Sequence, residues 1–464
     1  MNKDNAAKTD THRHSSTPPS HTTDFLCGVI EGFYGRPWRM SQRLELLMWL
    51  ETWCMNTYMY APKDDLKLRA AWRVLYNETE LAELQTLASE CAARNLYFVY
   101  TIAPGLDVRY ADKEELKALN RKLDQLIDVG VEHVCVLFDD IPDALSDTDT
   151  ARFGSLARAQ AYLANAALDH VRKHVKGLFL FCPTDYCGRM AQPSVTGSSY
   201  LHTLGKHLHK DIDIFWTGPE IVSETIPAAS IDELSQVLGR RPLIWDNLHA
   251  NDYDLRRVYL GPFAGRPSTL KAQVRGILSN PNNEFDVNVV PLRTLAMYAQ
   301  NDQYESRQAY QTALETWLTR FSSHGQAPIT IDELRLLGDF LYLFFEHGEK
   351  AQQVLVAIKH MLNHSPNQWG DALSTLEHAA TTMRTLFHKL TELNNRDLLY
   401  SLYGYVWELD HELNYAVDYL HWLQAGSSGG RFGRPEQLPN TFRGGFAAEL
   451  QRLIRLDEEG YVSA

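Results

Sequence analysis

Eight short apolar runs, each followed by a longer stretch of helical periodicity, succeed one another between residues 24 and 300. The runs are Phe25–Glu31, Met55–Tyr60, Tyr97–Ala103, His133–Phe138, Leu178–Cys182, Ile212–Trp216, Leu243–Trp245 and Gly276–Ser279. Strands that are apolar on both faces are what a parallel sheet covered by helices requires. Helices are predicted near 41–53, 78–94, 113–129, 151–174, 200–208, 231–238, 266–274 and 285–299. Asn77 with Glu80 and Ser230 with Glu233 have capping-box spacing. This α/β alternation fits a (β/α)8 TIM barrel, which takes about 250 residues. A doubly wound open sheet alternates in the same way, but no GxGxxG follows any of the strands.

The ends of the strands separate the two architectures further, because barrel active sites collect there. They read Glu31-Gly32-Phe33-Tyr34-Gly35, Pro62-Lys63-Asp64-Asp65, Pro104-Gly105, Asp139-Asp140, Thr184-Asp185-Tyr186, Trp216-Thr217-Gly218, Trp245-Asp246-Asn247 and Asn280-Pro281-Asn282. A single Asp or Asn after a strand is ordinarily a helix cap. Charged, amide and aromatic groups at nearly every end describe a lined pocket.

The fourth end carries adjacent carboxylates, Asp139 and Asp140, which would be costly to bury without partners. Four readings are open from the residues alone. One is capping with a surface ion pair. The second is a divalent metal site completed by His249, Asp64 and Asp65, although hard cations ask for more carboxylates than the pair supplies. The third is acid/base chemistry on a sugar, suited by the aromatic and amide-rich rim. The fourth is a non-catalytic sugar or peptide receptor. Within the third, neighbours on one strand are poorly placed to straddle a glycosidic bond about 5–5.5 Å apart, as a usual retaining pair does. They suit substrate-assisted hydrolysis, in which the 2-acetamido oxygen of the sugar attacks the anomeric carbon.

After residue 300 the strand signal ends. Helical periodicity over 305–321, 331–362, 371–394 and 396–424, and a last helix near 445–455, predict an all-α helical bundle. Thr330 with Glu333 forms a capping box, and the Gly/Ser-rich stretch 426–433 reads as a flexible loop. The expected division is a disordered N-terminal tail (1–23), a catalytic barrel (24–300) and a helical C-terminal domain (301–464). The tail is polar, with no apolar core of a secretory signal. Its His12 and His14 are expected to be tail residues rather than metal ligands. A formal net charge of −13 argues against nucleic-acid or acidic-membrane surfaces as partners. No run approaches the roughly 20 apolar residues of a membrane span. The six cysteines form no CxxC pairs, and the Cys182/Cys187 pair lacks the second ligand pair of a zinc site. Buried free thiols, no metal and a reducing, cytoplasmic setting are the expectation.

The segments Gly28-Val-Ile-Glu-Gly-Phe-Tyr-Gly-Arg-Pro-Trp38, Tyr60-Ala-Pro-Lys-Asp-Asp65, Leu137-Phe-Asp-Asp-Ile141, Cys182-Pro-Thr-Asp-Tyr-Cys187, Phe215-Trp-Thr-Gly-Pro219, Ile244–Asp254 and Ser279–Asn282 resemble glycoside hydrolase family 84, in order and spacing. That family comprises β-N-acetylglucosaminidases, including animal protein O-GlcNAcases and enzymes once called hyaluronidases. The resemblance continues into the stalk domain of the animal members, through Ile331–Leu343, Glu346–Gly348, Tyr405–Trp407 and Phe442–Leu453. No stretch of these residues resembles the long insert or the C-terminal acetyltransferase-like domain of the animal members, and neither is expected within them.

The resemblance implies a retaining enzyme that removes β-linked GlcNAc through an oxazoline, without cofactor. The substrate would be a GlcNAc-bearing protein, with a glycan as the alternative. It implies that Asp139 polarises the acetamido group and that Asp140 is the acid and then the base. Tyr186 would bond near the reacting acetamide and Trp245 would wall the N-acetyl pocket. Gly32, Lys63, Asn247, Asp252 and Asn280 would hold the sugar. Asp64, Asp65 and Asp246 are expected to be caps or supporting partners. Outside the motif, Gly32 reads equally well as a tight-turn glycine and Trp245 as a core aromatic. Asp140 is expected to be protonated at rest and Asp139 ionised. A homodimer through the helical domain is implied around Trp407. Asn440 departs from the animal pattern, which puts contacts to the peptide part of a substrate in question.

Overall fold

The protein is described by a computed structural model. It describes residues 25–324, 327–426, 430–435 and 445–462. The tail, residues 427–429 of the Gly/Ser-rich stretch and Asn440 lie outside the described residues. Eight parallel strands close into a barrel in chain order: β1 (Leu26–Glu31), β2 (Thr57–Tyr60), β3 (Tyr97–Ile102), β4 (His133–Leu137), β5 (Phe179–Cys182), β6 (Ile212–Trp216), β7 (Leu243–Asp246) and β8 (Gly276–Ser279). Closure is made where β1 pairs with β8, Val29 lying opposite Ser279. The strands are buried along almost their whole length, which is why they read as apolar runs rather than as alternating ones.

The covering helices are α1 (Met40–Thr52), α2 (Glu78–Ala93), α3 (Lys113–Ile127), α4 (Asp147–Phe153), α5 (Leu156–Val171), α6 (Ser199–His207), α7 (Ala228–Leu238) and α8 (Val289–Gln300). The Asn77 capping box opens α2 as expected. The one at Ser230 does not form. Helix α7 starts three residues earlier, after Pro227, and Ser230 Oγ donates to the Pro227 carbonyl instead. The helix expected over 151–174 is divided at Gly154, whose φ of +72° closes α4, and Ser155 caps α5. Between β7 and β8 only a 3-10 segment, Ser268–Ala272, replaces the expected helix. The chain there is spent on a long rim loop that returns through Arg266, whose guanidinium is bound to Asp246.

Six helices follow: α9 (Ser306–Leu318), α10 (Ile331–Phe340), α11 (Glu349–Asn363), α12 (Ala372–Leu390), α13 (Arg396–Gln424) and α14 (Gly445–Leu453). The single helix expected over 331–362 is broken between α10 and α11. The broken segment docks on the barrel: Leu260 N–H and Gly261 N–H donate to the carbonyls of Leu341 and Tyr342 at 2.7 and 2.6 Å. Asp339 then binds the start of α11, through its carbonyl to Gly348 N–H and its carboxylate to Lys350 N–H. Those tertiary bonds outweigh helical propensity. The 29-residue α13 lies against the barrel as well. Tyr405 Oη reaches the carbonyl of Leu255 at 2.9 Å, and Asn395 Nδ2 reaches Asp286 at 2.9 Å.

All six cysteines are free. Five are buried, and Cys54 corrects the expectation: it sits exposed in the turn after α1, at φ +54°.

Candidate active site

A cavity of about 580 Å³ opens at the carboxyl end of the barrel. It brings together all nine residues singled out from the sequence: Gly32, Lys63, Asp139, Asp140, Tyr186, Trp245, Asn247, Asp252 and Asn280. They arrive from the ends of six strands, or the loops that follow them, and meet because the barrel closes.

The two carboxylates have different surroundings. Asp139 is buried, and its Oδ2 forms an ion pair with Nζ of Lys63, whose side chain is only 4% exposed. Its Oδ1 is buried and carries no partner. Burial pushes the Asp139 carboxyl up, but the adjacent Lys63 ammonium, helped by Arg69, overrides this and holds it below the usual carboxylate range. Asp139 is therefore ionised at neutral pH, with one oxygen left without a partner beside the cavity it lines.

Asp140 takes the left-handed conformation at φ +52°, a region that few residues other than Gly, Asn and Asp tolerate. Its backbone is clamped by Arg69 Nη2, which donates to the Asp140 carbonyl at 3.0 Å. Two phenols take its two oxygens: Tyr186 Oη donates to Oδ1 at 2.8 Å and Tyr34 Oη to Oδ2 at 3.0 Å. Burial, then the charge of Asp140, raises both phenols far above their ordinary range, so they stay protonated. A rotating hydroxyl serves a carboxylate as donor and a protonated acid as acceptor. The two phenols can therefore bond the Asp140 carboxyl as donors or as acceptors.

Below the pair, Thr184 Oγ1 donates to the Phe138 carbonyl at 2.9 Å and receives Gln160 Nε2 at 2.8 Å. This chain from β5 and α5 fixes the end of β4. The opposite wall is an amide ladder. Trp245 Nε1 and Asn280 Nδ2 both donate to Asn247 Oδ1, at 3.1 and 3.0 Å, and Asn247 Nδ2 donates to the Ile221 carbonyl at 2.8 Å. Asn280 Oδ1 is left buried and unpartnered. Phe215 supports the indole of Trp245 edge-on, with ring centroids 5.4 Å apart. Asp252 accepts from Tyr34 N–H at 2.9 Å. Burial raises its carboxyl despite that bond and the nearby Lys63. Buried polar atoms without partners call for a ligand that supplies them. Asp139 Oδ1 needs a donor, as does Asn280 Oδ1.

Gly32 is not a tight-turn glycine, since its φ is not positive. A Cβ there would lie 2.6 Å from Trp245 Cζ2, so the residue is held small by the indole. The trio proposed for a metal does not assemble. Buried His249 donates from Nε2 to the Gly261 carbonyl at 2.9 Å, Asp65 accepts from the hydroxyls of Tyr60 and Tyr76, and Asp64 is exposed. None of the three lines the cavity. Glu31 also turns away from it, bound by Arg43 at 2.8 and 2.9 Å, by Tyr58 Oη and by Trp38 N–H. Asp246 is occupied by Arg266. The end of β3 contributes no lining residue and backs Ile141 through Gly105.

Sequence reasoning missed Tyr34, Arg69 and the outer rim of Arg189, Glu220, Ile221, Val222 and Tyr253. Tyr34 stood within a strand-end run already marked, and its hydroxyl was the available signal. Arg69 and the rim residues carry no local pattern.

The chain is similar to known proteins over most of its length. The family model for beta-N-acetylglucosaminidase matches residues 27–328. The protein O-GlcNAcases of Rattus norvegicus and Mus musculus are each 28% identical over 639 residues, covering 93% of this chain and 70% of their own length. That alignment is longer than the chain itself, so these relatives carry insertions that it lacks. A mutant of the O-GlcNAc hydrolase of Thermobaculum terrenum superposes with a TM-score of 0.75 at 27% identity, covering 86% of this chain and 84% of that one.

Proposed function

Because this chain belongs to the β-N-acetylglucosaminidases of glycoside hydrolase family 84, we propose that it removes β-linked GlcNAc from serine and threonine of proteins, by substrate-assisted catalysis with retention. The relatives' names as O-GlcNAcases support the protein substrate. The observation that carries the mechanism is the asymmetry of the acids: Asp139 is fixed ionised by Lys63 with one oxygen unpartnered, and Asp140 is cradled by two phenols.

In this reading the acetamide N–H donates to Asp139, which raises the nucleophilicity of the acetamido oxygen and stabilises the positive charge that develops on the group. That oxygen forms a bond to the anomeric carbon as the glycosidic C–O bond breaks. Asp140 gives its proton to the departing serine or threonine oxygen. A water then attacks the anomeric carbon, Asp140 takes its proton, and the oxazoline C–O bond breaks to restore the acetamide. Two inversions leave the β configuration unchanged. Trp245 bounds the acetyl methyl, and Gly32, Lys63, Tyr186, Asn247, Asp252 and Asn280 hold the sugar and its acetamide.

Release of p-nitrophenol from the β-GlcNAc glycoside tests the activity, with and without EDTA. No turnover would favour a receptor, and loss in EDTA a metal enzyme. Comparing a GlcNAc-serine peptide with a β-GlcNAc oligosaccharide tests the substrate class, and preference for the oligosaccharide would overturn it.

The proposal extends to a homodimer through the helical region. Exposed Tyr400, Tyr403 and Trp407 on α13 support it, together with Tyr253 and Leu255 on the adjacent barrel loop. Sedimentation giving a monomer at micromolar concentration would refute it. The six free thiols support a reducing compartment such as the cytoplasm. Among the described residues no helix is long and apolar enough to cross a membrane.

A further inference from the structure

At the end of the barrel opposite the cavity, α3 and α5 pack side by side and bring Asp124, His170 and His174 together. His170 stands in the last turn of α5 and His174 in the turn that follows it. Both imidazoles present Nε2 to the same oxygen of Asp124, His170 at 2.5 Å and His174 at 3.8 Å. The three ligand atoms lie within 4.8 Å of one another. The guanidinium of Arg172, between the two histidines in sequence, is turned to Asp211 at 3.8 Å. The catalytic cavity uses none of these groups.

We propose that Asp124, His170 and His174 bind a transition-metal dication, Zn²⁺ foremost, as a clamp between two barrel helices. Bonds of about 2.0–2.1 Å at a tetrahedral centre place ligand atoms roughly 3.3–3.4 Å apart. To reach that spacing the His170–Asp124 pair, hydrogen-bonded at 2.5 Å, must open by roughly 1 Å and the His174–Asp124 pair, at 3.8 Å, must close by roughly half an ångström. Two imidazoles and one carboxylate suit zinc, nickel or copper and offer too few oxygens for calcium or magnesium. Asp124 and His174 are both about half exposed, which leaves the fourth position to water. A site at this end has no path to the reacting atoms. Its effect is on the cohesion of α3 with α5, because a metal that binds the folded chain stabilises it.

The test is calorimetric titration of the EDTA-dialysed full chain with Zn²⁺, comparing wild type with the His170→Gln/His174→Gln variant. Wild type is expected to bind one more equivalent than the variant, and Zn²⁺ should raise the Tm of wild type only. Hydrolysis of the p-nitrophenyl glycoside should be equal in EDTA and in Zn²⁺. Should the double variant fail to fold, His174→Gln alone, at its exposed position, is expected to weaken that equivalent by on the order of tenfold or more. Equal stoichiometry and equal Tm response in wild type and variant would overturn the site, and turnover that requires Zn²⁺ would overturn its remote role.

Discussion

Replacing Gly32 by alanine probes how closely the candidate site is packed. The added methyl would stand 2.6 Å from Trp245 Cζ2, 3.0 Å from its Cη2 and 2.9 Å from Ile30 Cγ2. Carbon atoms rest about 3.5–4.0 Å apart, so the indole must withdraw by about 1 Å. It has little room, since Phe215 packs against it and Nε1 is bound to Asn247. Overpacking of this kind costs about 1–3 kcal/mol. A displacement of about 1 Å in a positioning group can cost 10²-fold in rate. Because φ at Gly32 is not positive, alanine meets no backbone strain, and the whole effect is assigned to the contact. The Gly32→Ala enzyme should show a Tm lower by a few degrees and kcat/KM on p-nitrophenyl β-GlcNAc reduced by about 10²-fold, with N-propionyl and N-butyryl substrates losing more. Wild-type kcat/KM across that acyl series, at wild-type Tm, would refute the packing argument.

Other outcomes follow from the two acids and the ion pairs. Asp140→Asn should spare oxazoline formation from substrates with very good leaving groups, whereas Asp139→Asn should cripple it for all. Equal losses on every leaving group would refute that assignment. Lys63→Met removes the main group that holds Asp139 low, so the acid limb of the pH profile of kcat/KM should move to higher pH. In wild type the Asp139–Lys63 pair stabilises the fold above the ordinary carboxylate range, and this is lost as pH falls through the lowered value. An acid limb unmoved by Lys63→Met would show that Asp139 does not set it. Arg43→Leu leaves the fully buried Glu31 without its cation and should cost about 3–5 kcal/mol in urea unfolding. A loss under about 1 kcal/mol would mean that Tyr58 and Trp38 suffice.

Much of the barrel was legible because each strand is buried on both faces and so appears as an apolar run, from Val134–Leu137 to Ile277–Leu278. The helical breaks were less so. Gly154-Ser155 carried a local signal, but the break after Phe340 is made by hydrogen bonds to Leu260 and Gly261, some eighty residues earlier. Ser230 failed as a cap because Pro227 starts the helix first. The nine expected site residues all stand at the cavity, since a residue that ends a barrel strand is delivered to the rim whatever its neighbours are. Tyr34 and Arg69 were passed over because their role is a bond to Asp140, 106 and 71 positions away.

Residue order alone settles that two carboxylates follow the fourth strand and that eight strand ends share one rim. It leaves them alike, for adjacent aspartates have the same local chemistry. Their difference arises only when the barrel closes. Lys63 from the end of β2 then neutralises Asp139, while Tyr34 and Tyr186 from the ends of β1 and β5 take the oxygens of Asp140, whose backbone stands at φ +52°. A charge is tuned by what lies within a few ångströms of it, and in this chain those neighbours are supplied by tertiary contact.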